Sequence, residues 1–121
     1  MKIPGPDHPI TVTPQSMRVT VIFNGEVIAE SQNSLELREA DYPAVAYIPR
    51  SDVAMDKLVA SDHSTHCPYK GDASYFSLEA SGKRAENAVW SYPDPYPALA
   101  AIKDHLAFYR DRVDAIEEST G

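Results

Sequence analysis

Apolar and polar positions alternate over residues 18–23: Val19, Val21 and Phe23 share one face of an extended chain, and Thr20 and Ile22 share the other. Asn24-Gly25 follows directly. A two-residue reversal of the type I′ kind needs positive φ at both central positions, which Asn and Gly tolerate best, so the pattern predicts a hairpin. Pairing outward sets Phe23 opposite Glu26, Ile22 opposite Val27 and Val21 opposite Ile28. Apolar pairs then fall on both faces, so the hairpin is expected to be covered on both sides. Residues 34–38 read as a third strand, with Leu35 and Leu37 on one face. After the turn Asp41-Tyr42-Pro43, residues 44–48 read as a fourth. Pro49 ends that strand because it cannot donate to a ladder. Ser51 or Asp52 is then placed to cap a short helix through about Ala60, with Met55, Leu58 and Val59 facing inward. Residues 61–66 form a polar connection.

Two more strands are predicted at 73–78 and 85–92, joined through Ala80-Ser81-Gly82-Lys83. Trp90 lies in the second and needs a partner for its indole N–H if it is buried. Pro93-Asp94-Pro95-Tyr96-Pro97 is a stiff crossing that supports neither helix nor ladder. Leu99, Ile102, Leu106, Tyr109, Val113 and Ile116 recur at alternating steps of three and four. That period fits one amphipathic helix from Ala98 to about Glu117. A competing reading has a short helix at 98–103 and then a strand over 105–109. Residues 1–16 hold Pro4, Pro6, Pro9 and Pro14 and no usable period, so an extended N-terminal arm without an element of its own is expected. Residues 17–121 are expected to form a single β domain.

A chain of 121 residues is long enough for one domain with a true core. Its single cysteine permits no internal disulfide and suits a reducing compartment. The N-terminus lacks the apolar run of a signal peptide, and no stretch approaches the roughly 20 apolar residues of a membrane-spanning helix. The expectation is a soluble, cytoplasmic protein. Eleven Lys and Arg against eighteen Asp and Glu leave a formal net charge of −7, and the cations are scattered. A nucleic-acid-binding face is therefore not expected, since phosphate backbones would be repelled on average.

Candidate chemistry concentrates in Thr65-His66-Cys67-Pro68-Tyr69-Lys70-Gly71. Pro68 is preset for the second position of a type I or II turn, which would bring the Cα atoms of Cys67 and Lys70 within about 7 Å. A cation that close favours the thiolate. Cys67 is thus either a small buried hydrophobe beside a turn or a pocket thiol tuned by Lys70. His63, His66 and Cys67 are ligand types that suit zinc, but adjacent residues in extended chain point to opposite sides, and no metal site or cofactor is expected. Where the fourth strand gives way to the helix, Tyr47, Arg50 and Asp52 cluster. Arg50 and Asp52 are a surface pair and a helix cap, or else Arg50 offers its planar fork to a carboxylate or phosphate.

Three segments carry a family resemblance: Tyr47-Ile48-Pro49-Arg50-Ser51-Asp52-Val53; Thr65-x-Cys67-Pro68-Tyr69-Lys70-Gly71-x-Ala73-Ser74-Tyr75; and Asn87-Ala88-Val89-Trp90-Ser91-Tyr92 with Ala107-Phe108-Tyr109. With these the chain resembles, from about Val19 to Ile116, the bacterial family known as domain of unknown function four-two-seven, also labelled a nucleotidyltransferase-like domain. The residues offer no physical basis for that label: there is no Gly-Ser pair followed by spaced aspartates, and no P-loop. What the resemblance implies is a mainly β fold of two packed antiparallel sheets, β-tent-like, with one or two short helices. It also favours the strand at 105–109 over the long helix. Paired Cys-x-x-Cys zinc motifs of many β-tent proteins are absent.

The expected function is small-molecule binding in a pocket framed by Tyr47, Arg50, Asp52, Cys67, Lys70, Tyr75 and Trp90, with the two cations favouring an anionic ligand. Two other classes fit the same residues: an enzyme with Cys67 as thiolate nucleophile, or a protein-interaction domain using an exposed strand edge without chemistry. The sequence leaves the ligand and the oligomeric state open.

Overall fold

The computed structural model describes residues 1–120 and is mainly β. Its strands are β1 (Ile10–Pro14), β2 (Arg18–Phe23), β3 (Glu26–Ser31), β4 (Leu35–Glu39), β5 (Val45–Pro49), β6 (Leu58–Cys67), β7 (Gly71–Ala80), β8 (Lys83–Ser91), β9 (His105–Phe108) and β10 (Ala115–Ser119). Seven of them form one sheet in the order β1-β4-β5-β9-β8-β7-β6, and three form a second in the order β10-β2-β3. Every pairing is antiparallel. The helical segments are short 3₁₀ turns, the longest being Pro97–Ile102.

The central strands of the large sheet are covered on both faces, which explains their alternation of two different kinds of buried residue, whereas β6 at one edge is largely exposed. One face packs on the small sheet: Val19, Val21 and Phe23 of β2 meet Ile48, Leu78, Val89 and Leu106. The other face carries Leu37, Tyr47, Ala73, Tyr75 and Ala107, closed over by Leu99 and Ile102 of the 3₁₀ segment. Along β5 and β9 neighbouring residues therefore belong to opposite cores, as the two-residue period of a strand requires.

The Asn24-Gly25 hairpin forms with φ of +49° and +77°. Phe23 faces Glu26 and Ile22 faces Val27 as expected, but a bulge follows and Val21 pairs with Ala29. The small sheet is covered on one face only, leaving Val27 56% exposed. The expected arm also departs from its outline: β1 lies within it and pairs with β4, because extended Ile10–Pro14 can cover an edge that would otherwise be open. The helix expected after a cap at Ser51 or Asp52 and running through about Ala60 is replaced by two 3₁₀ turns, Arg50–Asp52 and Met55–Lys57. From Leu58 the chain enters β6, so the supposed polar connection is a ladder strand. Its Ser, Asp, Thr and His residues have little helical preference, and pairing with β7 satisfies their backbone.

The long C-terminal helix does not form. Asp104 adopts φ +62°, which ends the 3₁₀ segment and turns the chain into β9. Beyond it β10 pairs with β2, an element that the helical period concealed.

One irregularity positions the site. The β5–β9 ladder consists of Ile48↔Leu106 and Pro49↔His105 alone. Val45, Ala46 and Tyr47 pair with β4 on one side, while Ala107 and Phe108 pair with β8. Among the described residues no ladder joins these two segments, so the large sheet is split there.

Candidate functional site

Cys67 and Gly71 close the β6–β7 hairpin around the loop Pro68-Tyr69-Lys70. Gly71 has φ +114°, and a Cβ there would stand 3.4 Å from the Asp94 carbonyl oxygen. The proline-rich crossing thus lies directly against the turn, and the Tyr96 amide donates to the Lys70 carbonyl at 2.9 Å. Held from that side, Lys70 turns its side chain inward and is 9% exposed. Its ammonium lies 2.5 Å from Glu39 Oε1, 3.9 Å from Cys67 Sγ, and 5.9 Å from the centre of the Tyr92 ring. Glu39 Oε2 is in turn 2.7 Å from His8 Nε2. Burial disfavours the charged form of the Glu39 carboxyl, but the hydrogen bonds from Lys70 and His8 outweigh it and hold the group below its ordinary pKa.

Beside this pair is a cavity of about 210 Å³ with Lys70, Glu39, Tyr47, Tyr75, Trp90 and Tyr92 in its walls. The Trp90 indole N–H donates to the Tyr47 hydroxyl at 3.1 Å, the partner that a buried tryptophan requires. The Tyr75 hydroxyl lies 3.0 Å from Thr65 Oγ1 and 3.4 Å from the Tyr109 hydroxyl. Tyr109 in turn leans on Trp90, with ring centroids 4.5 Å apart. Burial raises the pKa of Tyr47 and Tyr92, and it pushes Tyr109 up to about 12 with help from its bond to Tyr75. These tyrosines are neutral hydrogen-bonding groups across the physiological range, able both to donate and to accept.

A second cavity, about 300 Å³, opens on the other face of the same split, between the sheets. The two share Tyr42, Pro43, Val45, Trp90 and Tyr109. Tyr42, 66% exposed, overhangs both from the β4–β5 loop.

The structure gathers Tyr47, Lys70, Tyr75 and Trp90 around the smaller cavity, with Cys67 packed against the same core. Arg50 and Asp52 are elsewhere. Arg50 stacks over Phe76 at 5.7 Å, and the Asp52 carboxylate accepts from the Ser31 hydroxyl at 2.6 Å rather than capping a helix. The His63 ring packs tilted against Tyr75, and the exposed His66 bonds to Asp72 at 2.7 Å. Among the described residues no three His, Cys, Asp or Glu side chains converge as metal ligands would.

Glu39, Tyr92 and Tyr109 belong to the site but were not singled out by sequence reasoning. For Glu39 the signal was parity: Leu35, Leu37 and Glu39 share one face of β4, so a carboxylate stands where an apolar residue would continue the pattern. Tyr92 and Tyr109 end the segments Asn87 to Tyr92 and Ala107 to Tyr109.

Residues 11–119 match the family described as Domain of unknown function (DUF427), and the chain belongs to that family. No curated protein matches it.

Proposed function

We propose that this family member is a small-molecule binding domain whose pocket is the tyrosine-walled cavity beside Lys70. The observation that carries the reading is one largely desolvated ammonium–carboxylate pair, Lys70 and Glu39, in a cavity whose other walls are uncharged and include Tyr47, Tyr75, Tyr92 and Trp90. Binding sites characteristically combine an aromatic lining with a few convergent polar groups. Glu39 neutralises Lys70, so the cavity does not act as a bare cation for any anion. The ammonium has three donors, one of them committed to Glu39, and it can offer another to a ligand oxygen. The ligand class is a small molecule presenting a carboxylate or carbonyl oxygen to Lys70 and hydroxyl partners to the tyrosines.

Trp90 is the only tryptophan and stands in the cavity wall, so its fluorescence reports occupancy. A panel of small hydroxy acids and their amides, titrated against that signal, should yield compounds that change Trp90 emission saturably and raise the melting temperature. Lys70→Met should weaken those compounds by about tenfold, as for loss of one hydrogen bond from a charged group. If every hit binds Lys70→Met as tightly as the native chain, the pocket reading fails.

The 3.9 Å separation of Lys70 Nζ and Cys67 Sγ supports a second reading, a thiolate nucleophile. Among the described residues neither His63 nor His66 hydrogen-bonds the sulfur, so Lys70 would have to serve as its activating partner. Alkylation of Cys67 measured against pH decides it: an apparent pKa at or above about 8.5 removes this reading.

A further inference from the structure

The inter-sheet chamber differs chemically from its neighbour. Val21 and Ile116 of the small sheet form one wall, Ile48 and Phe108 of the large sheet another, and Tyr42-Pro43-Ala44 the roof. Arg110, at the rim, is the one charged residue among the described residues that line it. It is exposed, and among the described residues its guanidinium has no hydrogen-bond or ion-pair partner. Arg112, two residues on, is committed: it donates to the Glu86 carbonyl and lies 5.9 Å from the centre of the Tyr109 ring.

Size and charge together narrow the occupant. An apolar cavity of about 150 Å³ takes a benzene ring, so about 300 Å³ has room for two fused rings. A guanidinium beside such a slot selects a planar anion, because its fork matches a carboxylate with two parallel hydrogen bonds. The protein's net charge of −7 repels anions at long range, so a preference for one must come from this local cation. We infer that the chamber binds a hydrophobic carboxylate, an aryl acid of one or two rings, with the rings between the sheets and the carboxylate on Arg110. The inference rests on Arg110 and the inter-sheet walls and not on the Lys70 reading, although the two cavities share Tyr42, Pro43, Val45, Trp90 and Tyr109.

The probes are 2-naphthoate and its neutral near-isostere 2-naphthalenemethanol, titrated by calorimetry and by Trp90 fluorescence. The acid should bind about tenfold tighter than the alcohol, the effect of charge-assisted hydrogen bonds at a partly exposed site. R110Q should bring the acid down to the affinity of the alcohol and leave the alcohol unchanged; Arg110 is exposed, so the fold is not at stake. Ala44→Phe, which fills the chamber from its roof, should weaken both probes, and R110Q should weaken the acid more than Lys70→Met does. Equal affinity for acid and alcohol in the native chain would overturn the inference. So would a loss of acid binding that follows Lys70→Met instead of R110Q, or the absence of any saturable signal with either probe.

Discussion

Lys70 is held by a carboxylate that is itself drawn out of water, and neither charge is comfortable alone. The side chains of Lys70 and Glu39 are 11% and 17% exposed. Removing one partner leaves the other desolvated without compensation, which costs more than the pair contributes when intact. Glu39→Gln should therefore destabilise the protein by about 2 kcal/mol at neutral pH, below the range for fully buried pairs because water still reaches both groups. The pH dependence has a definite sign. The folded-state pKa of Glu39 is lowered from its ordinary 4.5, so its stabilising contribution is complete above that value and fades as pH falls through the lowered one. Urea unfolding of native chain and variant at neutral pH, near pH 4.5 and near pH 3 should show the gap closing toward acid. A gap that stayed constant would mean that the variant disturbs packing and not charge.

At the scale of elements, the sharpest constraint is the contact of the β6–β7 turn with the proline-rich crossing. Gly71 meets it with a left-handed backbone and an open face toward Asp94 and Tyr96. Gly71→Ala forces a strained φ on a side-chain-bearing residue while its Cβ would meet Asp94 and Tyr96 only in ordinary contact, so the cost is conformational, about 2 kcal/mol. Gly5→Ala, with open space around it and no positive φ, should be close to neutral in the same thermal unfolding series. Equal effects at the two positions would refute this account of the turn. Local signals were legible where local chemistry decides. Asn24-Gly25 marked its hairpin, Pro68 marked a reversal that brings Lys70 to Cys67, and Trp90 found the partner it needed. They failed where a distant ladder decides. Thr65 and its neighbours form a strand because β7 is there to pair with, and Ile116 continues a helical period only until β2 claims it. Arg50 and Asp52 are close in sequence to Tyr47, but the chain turns away at Pro49 and sends them to other partners. Glu39 entered the site from 31 residues away, through an ion pair that no spacing announces.

At the scale of the whole molecule, the chain's first residues bear on its centre. The Lys2 amide donates to the Pro68 carbonyl at 2.7 Å, and the His8 ring stacks on Tyr69 at 4.3 Å with planes 8° apart. His8 also bonds Glu39, and the Ala40 amide donates to the Pro9 carbonyl just before β1 begins. Residues 1–9 therefore tie the loop that joins Cys67 to Lys70 onto the β1–β4 edge of the large sheet. A strap of this kind restrains opening of the turn without belonging to either core. Its aromatic stack is worth about 1 kcal/mol, which is roughly a fivefold change in how often the turn opens. Deleting residues 1–9 while keeping β1 should accordingly speed alkylation of Cys67 about fivefold, with the strand signal in circular dichroism preserved. His8→Ala should reproduce most of the acceleration, since it removes the stack and the bond to Glu39 together. Unchanged alkylation in both variants would show that the turn is held by Gly71, Tyr96 and the Lys70–Glu39 pair alone, and that the strap has no hold on the site.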